Sequence, residues 1–311
     1  MRFAIVGSGG VGGYYGARLV LAGHEVTFLA RGAHLRAMRE QGLSIRSVAG
    51  DFTVPVRAEE DAGRVPPVDT VLLAVKNYDV AAALPAVKAL VATSPGASIV
   101  TLQNGVDSPG QVAAAVGEPP VIGGTTYIST AISEPGVIRQ TGQYQRIILG
   151  EVFGDTSRVS ARVQAVRDAL SVAGLNVEAV ADARVPLWEK LAFLAAMSGF
   201  CTAARLPFGP LREAPEFRQM FGEAAAEALR VAKAEGVAVT LRPEEVVGFM
   251  EGLTKEMKPS MLVDLEGGKP LEVEYLQGTV VRRGRAHGIP TPVMTTLYTV
   301  LRPHARGPRT A

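Results

Sequence analysis

The chain reads as an α/β protein in which a doubly wound, mostly parallel sheet is followed by an all-helical domain. Three observations predict this. From residue 1 to about 180, near-continuous apolar runs alternate with helically spaced segments. A glycine turn, GSGGVGG, joins the first run to the first helical segment. After NVEAVAD the β-like runs stop and long helical segments take over. Runs apolar on both faces suit parallel strands covered by helices above and below, and strand–helix alternation is the pattern of a doubly wound sheet.

Taken in order, RFAIVG predicts the first strand, VGGYYGARLVLAG the first helix and EVTFLA the second strand. LSIRSVAGDFTVPV alternates around a Gly-Asp turn and predicts an inserted hairpin. VDTVLLAVK and ASIVTLQ are further parallel strands, with the helix DVAAALPAVKALVA between them. VIGGTTYIST, GVIRQT and RIILGEV read as three more strands that extend the sheet antiparallel. The boundary falls near Ala181–Val185, giving domains 1–181 and 182–311. Beyond it the helical segments are WEKLAFLAAMSGFCTAA, EFRQMFGEAAAEALRVAKAEG, PEEVVGFMEGLTKE, LEVEYLQGTVVRRGRAHG and PVMTTLYTVLRP. Pro207, Pro243, Pro259, Pro270 and Pro290 punctuate them. The final HARGPRTA reads as a frayed tail.

Composition excludes several classes. At 311 residues, 47% hydrophobic and 20% charged, the chain is an ordinary globular protein. A net charge of +2 with scattered arginines predicts no nucleic-acid partner. The nearest basic cluster, Arg282, Arg283 and Arg285, reads as the solvated face of a helix. Cys201 is the single cysteine, so no internal disulfide forms, and its apolar neighbours make it a small core residue. The most apolar stretch, LAFLAAMSGFC, is too short to span a bilayer, and the N-terminus lacks a signal-peptide pattern. The expectation is a cytoplasmic protein with no membrane partner and no metal site.

The glycine turn carries the first functional signal. Gly7, Gly9 and Gly12 follow a strand and open a helix, which is the context a dinucleotide-binding turn requires. Gly7 allows the tight turn, Gly9 admits the pyrophosphate, and Gly12 lets helix and strand pack closely. Ser8, Gly10 and Val11 complete the cradle at the helix N-terminus. At the end of the second strand, where an NAD site places an acid, the sequence reads Ala30-Arg31. Glu25 begins that strand and lies about 15–20 Å from the nucleotide edge. Arg31 suits a 2′-phosphate, so NADP(H) is expected over NAD(H). Lys76 and Asn104 close the next two strands, at the edge where open α/β sheets bind ligands.

Together the glycine turn, AVK after the third main strand, QNG after the fourth, WEKL opening the helical half and the late PSMLVDLEGGKPLEVEYLQG resemble the ketopantoate reductase (2-dehydropantoate 2-reductase) family. The resemblance runs from Met1 to about Thr299, nearly the whole chain. It implies a Rossmann-type domain joined to a helical domain like that of 6-phosphogluconate dehydrogenases, with the active site in the cleft between them. It also implies NADPH-dependent reduction of ketopantoate to pantoate, a step of pantothenate biosynthesis. Carried over residue by residue, Arg31 holds the 2′-phosphate, and Lys76 and Asn104 line the nicotinamide side. Lys190 is the catalytic lysine, Ser260 binds the substrate carboxylate, and Glu272 helps hold substrate and the active arrangement.

Physical chemistry gives those roles sense. Hydride arriving at a ketone carbon leaves charge on oxygen, which a lysine ammonium stabilises and then protonates. Glu272, two residues after Pro270, is expected in the first turn of a helix whose dipole keeps it ionised. Without the resemblance, Lys190 and Glu272 read as solvated surface charges. One part of the match fails. Leu194 and Ser198, four and eight residues beyond Lys190, and Phe208 stand where ketopantoate-specific members of the family carry asparagines. Ser198 retains a hydroxyl for substrate binding, whereas Leu194 offers none. A different 2-oxo acid is therefore the alternative substrate. An alternative of another class is a non-catalytic NADPH-binding redox sensor, which has no need of Lys190, Ser260 and Glu272 together. The apolar helical surface is compatible with a homodimer, and the sequence does not fix the oligomeric state.

Overall fold

The computed structural model describes residues 1–307, apart from the side chain of Gln143; the last four residues of the expected tail lie outside them. The chain divides into two compact units, Met1–Gln103 with Ser108–Arg184, and Asn104–Asp107 with Val185–Ala311.

The first unit runs β1 (Arg2–Val6), α1 (Gly10–Leu21), β2 (Glu25–Leu29), α2 (Gly32–Gln41), β3 (Leu43–Arg46), β4 (Phe52–Val54) and β5 (Arg57–Glu59). It continues with β6 (Thr70–Leu73), α3 (Val80–Thr93), β7 (Ser98–Thr101), α4 (Ser108–Val116), β8 (Val121–Glu134), β9 (Val137–Glu151), α5 (Ala161–Val172) and β10 (Asn176–Asp182). One sheet takes all ten strands, in the order β4-β3-β9-β8-β7-β6-β1-β2-β5, with β10 also on β9. The four central strands are parallel and end on one rung, where Val6 is level with Leu29 and Leu73, and Leu73 with Thr101. Their exits therefore lie along a single rim, which carries the glycine turn, Arg31, Lys76 and Gln103. Beneath that rim Phe3, Ile5, Phe28, Leu72, Val100 and Ile122 form the core, as strands buried on both faces demand.

Several strand expectations need correction. VIGGTTYIST continues to Glu134 and joins β7 in parallel, not antiparallel. GVIRQT and RIILGEV are one strand, β9, which is antiparallel to β8. Along its other edge β9 serves two more partners, since its first residues pair with β3 and its second half with β10, both in parallel. Neither pairing is visible in local periodicity. The expected hairpin is present, with Leu43 opposite Val54. The short edge strand β5 reads RAE, too brief and too charged to signal itself.

The second unit comprises the turn Asn104–Asp107, α6 (Arg184–Ala204, its first residue in the other unit), α7 (Phe208–Arg212), α8 (Phe217–Ala234), α9 (Pro243–Glu251), α10 (Ser260–Glu266), α11 (Gln277–Ala286) and α12 (Pro292–Leu301). No strand occurs from residue 187 to 307. Helix α6 is apolar on nearly every face, which is the signature of a central helix. Its Trp188 and Leu191 make one core with Phe221, Val280 and Met294 of the surrounding helices. Phe208 sits in that core edge-to-face with Phe217 and Phe221, ring centroids 5.6 and 6.2 Å away. Cys201 is fully buried, as expected, and burial pushes its thiol up to about 12. The α12 N-terminus is capped by a buried carboxylate, Glu227, which accepts the Val293 and Met294 amides at 2.8 Å each.

The segment LEVEYLQG departs from expectation. Glu272–Glu274 form a single 3-10 turn, and Leu276 (φ −106°, ψ −91°) separates it from α11. Glu272 is therefore not in the first turn of an α-helix, and the dipole argument for its charge lapses, because that effect fades within a turn. The basic cluster also departs from expectation. Arg282 and Arg285 are exposed, but Arg283 is turned inward and paired.

Candidate active site

The glycine turn leaves β1 with Gly7 at φ +99°, a conformation L side chains rarely adopt, and a Cβ there would lie 2.6 Å from the Val75 amide nitrogen. A Cβ at Gly12 would meet the Gly7 carbonyl at 2.2 Å, so the helix and the turn approach each other as closely as backbone permits. By contrast, Gly9 has nothing within 4 Å of its Cβ position. That open face lies at the start of α1, with Gly10, Val11 and Gly12 in its first turn, where free backbone N–H groups and the helix dipole favour an anion. The Ser8 hydroxyl donates to the Leu29 carbonyl at 2.9 Å and ties the turn to the end of β2.

Arg31 follows that end as the N-cap of α2, exposed and without an ion pair among the described residues. Arg31 thus lies at the end of β2, the strand that Ser8 ties to the glycine turn, and is open to solvent. Sequence reasoning missed His34, one turn into α2. Its Nε2 lies 2.9 Å from the Ser8 carbonyl, and its Nδ1 accepts the Gly136 amide at 3.0 Å. Accepting at Nδ1 requires the tautomer with hydrogen on Nε2, so His34 donates to the turn as a neutral ring. Burial holds its pKa below the usual histidine range, against the opposing pull of the Ser8 bond.

Lys76 stands beyond the end of β6 as the N-cap of a 3-10 turn, Asn77–Asp79, with its side chain partly buried. The exit from β6 is held by Gln103, whose Nε2 donates to the Leu73 and Val75 carbonyls at 2.9 and 3.1 Å. Gln103 is buried, and its Oε1 has no hydrogen-bond partner among the described residues. The QNG motif thus contributes a structural amide alongside the residue the sequence pointed to.

In the second unit, Lys190 Nζ donates to Asn104 Oδ1 across 2.9 Å. Burial lowers the Lys190 pKa to about 8, and the charge of buried Glu272 opposes that shift. Three residues far apart in sequence, Asn104, Lys190 and Glu272, therefore form one electrostatic group. The turn bearing Asn104 depends on Gly105, at φ +88°, where a Cβ would lie 2.6 Å from the Tyr275 carbonyl oxygen. A partly buried ammonium whose pKa is lowered to about 8 and which is hydrogen-bonded to an amide is able to hold a developing oxyanion and give it a proton at neutral pH.

The remaining expected residues fall elsewhere. Ser260 is the exposed first residue of α10. Ser198 is buried, and its Oγ receives a 3.1 Å bond from Gln277 Nε2, which also donates to the Ala195 carbonyl at 2.7 Å. Leu194, one turn beyond Lys190, is only partly buried and packs against the core. Phe208 belongs wholly to that core. Among the described residues no cluster of His, Cys, Asp and Glu is able to hold a metal, and no helix is long and apolar enough to cross a membrane.

The model of the family described as ketopantoate reductase PanE/ApbA matches residues 3–154, and that of its C-terminal domain matches residues 182–305. A 2-dehydropantoate 2-reductase of Halobacterium salinarum is 36% identical over 308 residues, 97% of this chain and 98% of its own. The crystal structure of 2-dehydropantoate 2-reductase from Geobacter metallireducens superposes with a TM-score of 0.89 at 30% identity, covering 97% and 99% of the two chains. A D-mandelate dehydrogenase crystallised with NADH and anilino(oxo)acetate shares the fold, with a TM-score of 0.88 over 97% of each chain, but only 22% identity. With a Rossmann-like sheet, a helical C-terminal domain and both family models matched across it, the chain is an oxidoreductase belonging to the ketopantoate reductase family.

Proposed function

We propose that this protein reduces a 2-oxo acid to a 2-hydroxy acid with NADPH, and that ketopantoate, giving pantoate, is the first substrate to test. The observation that carries this reading is the Lys190–Asn104 hydrogen bond of 2.9 Å beside the charge of Glu272. A redox sensor needs no such group.

The residues of the first unit fit a dinucleotide. The open backbone face at Gly9 takes a pyrophosphate, and the exposed Arg31 takes the 2′-phosphate that separates NADP from NAD. When bound, NADPH supplies the hydride that reaches the carbonyl carbon. Lys190 holds the carbonyl oxygen, stabilises the charge that develops on it and transfers the Nζ proton to give the hydroxyl. Asn104 fixes the direction of the ammonium. Glu272 opposes the loss of charge that burial promotes, so enough Lys190 stays protonated near pH 7. Ser260, at the start of α10, is the proposed donor to the substrate carboxylate. Lys76 is the proposed residue on the nicotinamide side.

A second reading keeps this chemistry with a more apolar 2-oxo acid. It is favoured by one specific observation: Leu194 offers a substrate hydroxyl no partner, and the Ser198 hydroxyl is already held by Gln277 within the core. A site without a partner for a buried hydroxyl discriminates against the substrate that carries one. Oxidation of NADPH, followed by absorbance against ketopantoate and a series of unbranched, branched and aromatic 2-oxo acids, tests both readings. Turnover of ketopantoate with the highest kcat/KM supports the first. A preference for an apolar acid supports the second, and no turnover of any acid contradicts both.

A further inference from the structure

We propose that Asp107 and Arg283 are a positioning pair that sets the register of Lys190 against Asn104; this rests on the reading of Lys190 as the proton donor. Asp107 closes the same four-residue turn that begins with Asn104, and its carboxylate gathers four donors from α11. Arg283 gives Nε and Nη2 to Oδ1 at 3.2 and 2.7 Å. Thr279 donates its hydroxyl to Oδ2, and Arg282 Nη2 lies 3.4 Å from the same oxygen. The turn is therefore held at two points, by Asp107 and by the packing of Gly105 on the Tyr275 carbonyl. Tyr275 directly follows the 3-10 turn that carries Glu272.

Arg283 connects this assembly to α6. Its guanidinium carbon lies 5.9 Å from the centre of the Trp188 ring, and Trp188 precedes Lys190 by two residues. Its third donor, Nη1, is fixed by Glu235 at 2.6 Å, at the end of α8. All three functional groups are thus registered through one guanidinium: Asn104 through Asp107, Glu272 through the Tyr275 segment, and Lys190 through Trp188. The alternative is an ordinary surface ion pair of little consequence. Against it stand the burial of Asp107, whose side chain is 13% exposed, and the convergence of the Asp107, Glu235 and Trp188 contacts on Arg283. Misplacement by about 1 Å at a reacting oxygen is costly, so such a pair acts on rate rather than on binding.

The test uses Asp107→Asn, Arg283→Met, their double variant and the milder Thr279→Val. For each, kcat/KM for the best 2-oxo acid, the NADPH Kd and Tm are measured, together with amide hydrogen exchange over residues 104–107 in the absence of substrate. The single variants Asp107→Asn and Arg283→Met should each lower kcat/KM about tenfold or more, with the NADPH Kd unchanged within about twofold. The double variant should lose little beyond either single one, because both changes break the same coupling. Exchange over residues 104–107 should quicken in all of them. Unaltered kcat/KM in folded variants, or losses that simply multiply in the double variant, overturns the proposal. Thr279→Val decides the matter if the stronger variants do not fold: faster exchange with reduced kcat/KM upholds the pair, and wild-type behaviour refutes it. Should the wild-type protein reduce no 2-oxo acid, the functional reading fails on its own, and unchanged exchange over residues 104–107 still refutes the clamp.

Discussion

The Lys190 ammonium meets the Asn104 side chain across 2.9 Å, although the two residues are 86 positions apart in sequence. Burial brings that ammonium's pKa down to about 8, and the charge of Glu272 resists the fall. A group titrating there is charged at neutral pH and still acidic enough to release its proton.

The pH dependence follows in sign. Below about 8 Lys190 is protonated and competent to deliver a proton, and above it the ammonium is lost. Reduction should therefore decline as pH rises through about 8, while oxidation of the 2-hydroxy acid, which needs the neutral amine, should increase. Profiles of kcat/KM in both directions check this. Parallel profiles, or flat ones from about pH 6 to about 10, contradict it.

Cofactor choice should rest on Arg31. NADPH is expected to bind at least about tenfold tighter than NADH, and Arg31→Ala should erase most of that preference, at about 1–3 kcal/mol for a lost charge-assisted bond. Titration of both cofactors into both proteins measures it. Equal affinities in the wild-type protein contradict the assignment.

The glycine turn was legible in the sequence because its requirements are local: a backbone without Cβ between a strand and a helix. The same holds for α6, whose all-round apolarity declares a central helix. The double pairing of β9 was not legible, since β3 and β10 reach it from distant parts of the chain. Pro270 reads as a start signal that would put Glu272 in a helix, yet the break at Leu276 is a tertiary matter. Arg283 looked solvated from its basic neighbours, because its partners Asp107, Glu235 and Trp188 are invisible to local pattern. The resemblance identified Asn104, Lys190 and Glu272 individually, and only the fold shows them grouped.

Substrate preference should respond to Leu194. Leu194→Asn restores an amide one turn from Lys190, and should shift the ratio of kcat/KM for ketopantoate over an unhydroxylated 2-oxo acid by about tenfold towards ketopantoate. An unchanged ratio removes Leu194 from the specificity account.

Stability should depend on Glu227. Glu227→Ala leaves the Val293 and Met294 amides without their acceptor, at about 1–3 kcal/mol, read as a lower Tm; Glu227→Gln should cost less. Burial raises the Glu227 pKa, an effect its backbone hydrogen bonds oppose. A raised carboxyl contributes stability below its unfolded pKa, and that contribution is lost as pH rises through its folded value. The advantage of Glu over Gln at this position should therefore shrink as pH rises through that interval. A constant difference refutes the assignment.

Lys190→Ala removes the proposed proton donor alone, whose bond to the substrate oxygen should strengthen only as charge develops there. With the preferred 2-oxo acid and saturating NADPH, kcat should fall about 100-fold or more, while the NADPH Kd stays within about twofold of wild type. A folded Lys190→Ala protein that keeps kcat within about tenfold of wild type contradicts the account, because its oxygen would then receive its proton from another group.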